Sequence, residues 1–171
     1  PSGIVETTFV DTGDDTETFT VANLGFGFGI TEDFELGAHL VNLLVDPDTD
    51  LADPSVYVMY RFIDGDFELG VFGEVSVPFE RDSTVTGGMP IALHLGDSVR
   101  IDTGPFVQHD FELENDPDFI APFQLPINVS RQVAIGPEAA TILREFERDD
   151  FLLGFFAGYT FTSGGGTLGD I

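Results

Sequence analysis

The chain of 171 residues carries 31 acidic side chains against six arginines and no lysine, a formal net charge of −25. That balance excludes nucleic acid and anionic headgroups as charge-driven partners, and the absence of cysteine excludes disulfides, thiol catalysis and cysteine metal sites. Mean hydropathy is nevertheless +0.13 with 18 Phe, which excludes disorder and requires that charge and apolar surface be segregated in space.

Segregation takes the form of a two-residue rhythm. Ten strands are predicted, over 4–10, 18–30, 34–45, 55–63, 67–79, 89–95, 99–109, 119–130, 133–143 and 151–162. In the second, Ala22, Leu24, Phe26, Phe28 and Ile30 share one face, and Gly25, Gly27 and Gly29 the other. The third continues the apolar side with Phe34, Leu36, Ala38 and Leu40 and sets Glu35, Gly37 and His39 opposite. Val56, Val58, Tyr60 and Phe62 follow in the fourth, with Arg61 on the polar side. The fifth is the clearest: Phe67, Leu69, Val71, Gly73 and Val75 alternate with Glu68, Gly70, Phe72, Glu74 and Ser76. Successive strand residues point to opposite faces, so each ribbon meets two different solvents. The sixth and seventh place His94, Arg100 and Asp102 on the polar face, the eighth and ninth Gln124, Asn128 and Glu138. The tenth closes the apolar set with Phe151, Leu153, Phe155, Ala157, Tyr159 and Phe161.

The connections alternate in kind. Thr31-Glu32-Asp33, Asp64-Gly65-Asp66, Gly96-Asp97-Ser98 and Arg131-Gln132 are short; 11–17, 46–54, 80–88, 110–118 and 144–150 are long. Short links after even strands and long ones after odd strands put every long loop at one rim, the pattern of an up-and-down meander. Glu32-Asp33-Phe34-Glu35-Leu36-Gly37 recurs as Gly65-Asp66-Phe67-Glu68-Leu69-Gly70, a repeated hairpin grammar.

With alternation, trimmed and elaborated rims, an even strand count and aromatics near strand ends, the chain resembles bacterial outer-membrane β-barrels over nearly its whole length. The resemblance implies an all-β fold, an antiparallel up-and-down transmembrane β-barrel of about ten strands, forming one domain over 1–171. It also implies an outer-membrane location, with short turns toward the periplasm and long acidic loops outside. Barrels of this kind usually end on an aromatic, whereas Phe161 is followed by ten further residues, so 163–171 reads as a tail or as the start of further strands. Six prolines (Pro78, Pro90, Pro105, Pro122, Pro126 and Pro137) count against an unbroken ladder, because each removes a donor. The rival architecture is a soluble, lipocalin-like barrel that encloses the apolar face and carries an apolar ligand.

Turn geometry sets the candidate lumen network. A two-residue loop at Asp64-Gly65 places Arg61 across from Glu68, and a three-residue loop at Gly96-Asp97-Ser98 places His94 across from Arg100, with Asp102 diagonal to His94. With Glu35, His39 and Glu74 these groups read as an ion-pair network filling a narrow barrel, the functional alternative being an ion relay or selectivity element. Asp46, Asp48, Asp50 and Asp53 put carboxylates at near-alternate positions, a weak Ca²⁺ candidate that lacks the glycine and distal glutamate of calcium loops. The acidic rim would hold Ca²⁺ or Mg²⁺ and bridge to lipopolysaccharide; no other cofactor is expected. Membrane lipid, a second copy or other envelope proteins are the expected partners. An enzymatic reading, a lipid-modifying barrel built on His109-Asp110 and Asp82-Ser83, is disfavoured because so few histidines and serines make proximity by chance the simpler explanation. The expectation is a non-enzymatic barrel with a structural or surface role or a narrow conduit.

Overall fold

A computed structural model describes the backbone of residues 2–11, 18–45, 50–52, 54–76, 83–111, 117–144 and 147–162, and the side chains of 25–40, 54–76, 83–111, 117–143 and 151–159. The elements are β1 (Ser2–Asp11), β2 (Thr18–Gly29), β3 (Phe34–Val45), β4 (Asp50–Ala52), β5 (Ser55–Ile63), β6 (Phe67–Ser76), β7 (Thr84–Gly88), β8 (Ile91–His94), β9 (Arg100–Thr103), β10 (Phe106–Asp110), β11 (Asp118–Gln124), β12 (Ile127–Asn128), β13 (Val133–Arg144) and β14 (Glu147–Thr162). All pairings are antiparallel. They run β1–β2–β3–β5–β6–β7–β10–β11–β13–β14 and return from β14 to β1, a closed circuit with ten positions. Among the described residues, closure leaves no strand position without a neighbour on each side.

Fourteen strands occupy ten positions because prolines divide some of them. β7 and β8 form one position, parted at Met89-Pro90; β9 and β10 another, parted at Gly104-Pro105; β11 and β12 a third, parted at Leu125-Pro126; β4 and β5, both paired with β3, make the fourth shared position. Each proline lacks a donor, but its carbonyl still accepts: Gly70 donates to Pro90 (3.1 Å), Met89 to Pro105 (3.0 Å), Arg100 to Pro126 (3.0 Å) and Leu125 to Pro137 (3.0 Å). Pro122 and Pro137 remain in register opposite Ala140 and Phe155. The prolines thus interrupt strands without opening the wall, which answers the objection they raise at the level of sequence; Pro78 lies outside the described residues. Gly104 allows one of these approaches. Its φ is +145°, and a Cβ there would collide with the Met89 carbonyl.

The four short turns gather at one rim. Thr31 Oγ1 accepts from the amides of Asp33 (3.2 Å) and Phe34 (3.0 Å), and Ser130 Oγ accepts from Gln132 (3.2 Å) and Val133 (3.1 Å). Gly65 and Gly96 supply positive φ at the other two. At the opposite rim 12–17, 46–49, 77–82 and 112–116 lie outside the described residues. Three expected long loops are shorter than read. β4 (Asp50–Ala52) lies inside the predicted 46–54 loop, β7 begins at Thr84, inside the predicted 80–88 loop, and β14 begins at Glu147, inside the predicted 144–150 loop.

The packing is inverted relative to a water-soluble fold. Phe28, Leu40, Val58, Tyr60, Val71, Leu95, Phe123 and Leu153 all stand well exposed on the outer face. Among the described residues the buried apolar side chain is Phe156, at 5% exposure on the inner face. A soluble barrel would enclose the first set, and an exposed apolar band of this extent marks a surface that meets lipid or protein. The lipocalin-like alternative is therefore corrected: the inner face is the polar one.

Candidate functional site

The inner wall carries the polar half of every alternation, and its groups fall into two layers. Nearest the short turns, Glu68 accepts from two strands at once. Arg61 Nη1 lies 3.3 Å from its Oε2, and His94 Nε2 lies 2.9 Å from its Oε1. The expected direct opposition of Arg61 and Glu68 is corrected. A bulge between Arg61 and Ile63 shifts the register, so Arg61 faces Gly70, and its long side chain reaches back to Glu68. Arg61 also donates to the Glu32 carbonyl (2.8 Å) and lies 3.6 Å from Asp64. His94 does pair in register with Arg100, as expected. Asp102, opposite Ala92 and so diagonal to His94 as expected, is held by Arg100 in a two-pronged contact with both distances 2.7 Å. Arg100 and Asp102 are two apart on β9 and so share its inner face. On β11 and β13, Gln124 Nε2 donates to Glu138 Oε2 at 3.0 Å.

Further along the strands, the second layer joins carboxylates to aromatics. Tyr57 donates to Glu35 at 2.6 Å; His39 Nδ1 lies 2.8 Å from Glu74 Oε1, and the Ser55 hydroxyl donates to the same oxygen. The ring of His39 stacks on Tyr57 (centroids 5.1 Å apart), Tyr57 leans on Phe72 (5.8 Å), and Phe72 meets Phe106 edge-on (5.9 Å). These rings run from β3 to β10 along the wall.

Each ring is opposed by a glycine. In register, His39 faces Gly25, Tyr57 faces Gly37, Phe72 and Phe106 both face Gly88, and Phe156 faces Gly136. A Cβ at Gly37 or Gly88 would collide with the Tyr57 or Phe106 ring, and one at Gly25 would stand 2.9 Å from His39 Cδ2. The Tyr57 and Phe106 rings therefore lie against their neighbours' backbone, with Phe72 standing between them. The alternation within single strands does not reveal this pairing of aromatic with glycine, which needs the register between strands.

Wall-hugging rings leave the interior accessible. Side chains of Glu68 and Glu74 keep 22% and 21% of their surface exposed, and His39 keeps 34%. The ion-pair network thus stands on the inner face with part of its surface exposed, and among the described residues no large side chain is fully buried.

The other candidate sites fall wholly or partly outside the described residues. Asp46, Asp48 and Asp53 lie outside the described residues, and of Asp50 only the backbone is described, in β4. No group of three metal-binding side chains occurs among the described residues. His109 stands in register with Val85, on the opposite face from Asp110, and meets Phe111 edge-on at 5.4 Å. Asp82 lies outside the described residues.

No protein-family model and no curated protein matches the chain. Solved structures do. The NanC porin aligns with TM-score 0.55 at 7% identity, over 94% of this chain and 100% of that one. The KdgM porin, solved also with disordered oligogalacturonate, aligns with TM-score 0.57 at 10% identity, over 95% and 100%. An outer membrane channel from Pseudomonas putida F1 aligns with TM-score 0.57 at 11% identity, over 94% of each chain. At such identities the likeness is one of fold, and it extends across both partners. Closed circuit, outward apolar band, polar inner wall and whole-length alignment agree: this chain has the fold of the bacterial outer-membrane β-barrel porins.

Proposed function

We propose that the protein is a narrow, non-enzymatic channel of a bacterial outer membrane. The observation that carries this reading is the accessible polar interior. Glu68, Glu74 and His39 line the inside of a closed ten-position wall and keep solvent-accessible surface there. A barrel serving only as a structural anchor gains nothing from an accessible polar interior, whereas a conduit requires one. The outward apolar band supports placement in a bilayer, and the short turns would face the periplasm. The likeness to porins supports the same reading at the level of fold. The ligand named for the KdgM porin is not carried over, because oligogalacturonate is a polyanion and this interior is rich in carboxylates.

The test is conductance. The full chain, refolded into a planar bilayer, is expected to give discrete open-channel currents. A barrel that folds, shown by a heat-dependent shift on gel electrophoresis, yet passes no ions would leave a structural or surface role as the better reading.

A further inference from the structure

Within the channel reading, two independent features of the inner wall bear on what passes. The first is charge. Glu35, Glu68, Glu74, Asp102 and Glu138 stand on it against Arg61 and Arg100, so acidic groups outnumber guanidinium groups five to two among these residues. Both arginines lie beside the short turns and are engaged by carboxylates, Arg61 by Glu68 and Arg100 by Asp102. A low-dielectric wall of one prevailing sign concentrates ions of the other sign.

The second is the aromatic ladder. Because Tyr57 and Phe106 lie down on glycines, and Phe72 stands between them, the ladder lies along the wall, half-buried. Ring faces turned toward an aqueous passage attract cations through their quadrupole, and more so when the cation is weakly hydrated. The ladder is also tied to carboxylates at two points, Tyr57 to Glu35 and His39 to Glu74. Ring faces and carboxylates side by side suit a positively charged organic group and repel a carboxylate.

We infer that the lumen prefers cations and that the His39–Tyr57–Phe72–Phe106 ladder seats small organic cations, protonated or quaternary amines bearing an aromatic or alkyl group. The inference rests on the channel reading, and one experiment separates the two. Single channels of the full chain are recorded in a KCl gradient at low ionic strength, where screening is weak. Benzyltrimethylammonium, benzyl alcohol and benzoate are then added in turn. The expected reversal potential reports K⁺ over Cl⁻, and benzyltrimethylammonium interrupts the current at concentrations where benzoate and benzyl alcohol do not. Phe72→Leu weakens that interruption about fivefold to tenfold, and Glu74→Gln lowers the K⁺ preference. Preference for Cl⁻, equal interruption by benzoate, or an unchanged response in both variants overturns the inference while leaving a channel in place. Absence of any current from a folded barrel overturns the channel reading itself, and the inference with it.

Discussion

Tyr57 lies flat on Gly37, its direct partner across β3 and β5, and its hydroxyl reaches 2.6 Å to Glu35 on the same inner face. The absence of a side chain at Gly37 is what holds the ring against the wall. Gly37→Val puts branched carbon where the ring sits, so the ring must swing into the lumen and release Glu35. We expect a loss of about 1–3 kcal/mol in urea unfolding from lipid vesicles, accompanied by a fall in single-channel conductance. A variant with unchanged conductance would show that the ring does not border the conducting path.

Glu68 joins three strands through Arg61 on β5 and His94 on β8. Glu68→Ala removes both contacts and leaves the Arg61 guanidinium short of a partner in a partly enclosed wall. The expected cost is about 1–3 kcal/mol, read by the same unfolding assay, with Arg61→Ala/Glu68→Ala costing less than the sum of the single changes. Strict additivity would mean the contact contributes nothing.

The two faces should differ sharply in their tolerance of charge. Val71, outward on β6 and 46% exposed, is expected to meet hydrocarbon. Val71→Arg should cost about 2–4 kcal/mol if it lies near the bilayer midplane. Gln124→Arg, on the inner face beside Glu138, should cost far less and shift selectivity instead. Similar costs for the two would remove the distinction between lipid face and lumen face.

Gly104→Ala tests how the proline-divided strands stay joined. With φ at +145° and the Met89 carbonyl where the Cβ would stand, any side chain forces β9 and β10 away from β8. We expect at least about 1–3 kcal/mol of destabilisation and faster proteolysis near 103–106. Unaltered stability would show that the backbone relaxes there freely.

Most of the fold was legible because alternation is a local property. The apolar runs of β2, β3, β5, β6 and β14 mark those strands within a few residues, and the outward face they predict is the exposed one. β7 was misread because Thr84-Val85-Thr86-Gly87-Gly88 carries a single large apolar residue, and pairing with β6 and β10 makes it a strand. The site was legible only in its membership. Glu35, His39, Arg61, Glu68, Glu74, His94, Arg100 and Asp102 share the polar face of the wall. Their partners depend on features that spacing does not encode: the bulge after Arg61, which moves its backbone partner to Gly70, and the reach of Glu68 to His94 on a strand beyond its own hairpin. The aromatic ladder needed the register of four successive pairings, from β3 to β10, so no local pattern could reveal that Tyr57 and Phe106 settle on glycines.

The central claim is that acyl chains touch the Phe/Leu/Val side of the wall and water touches the other. The chain has no tryptophan, so single tryptophans can report each face without background. Val58→Trp and Met59→Trp place adjacent probes on opposite faces of β5. In vesicles of lipids brominated along the acyl chain, the account predicts strong quenching at position 58 and little at 59. Equal quenching at both, or a monodisperse monomer that needs no detergent, would contradict it.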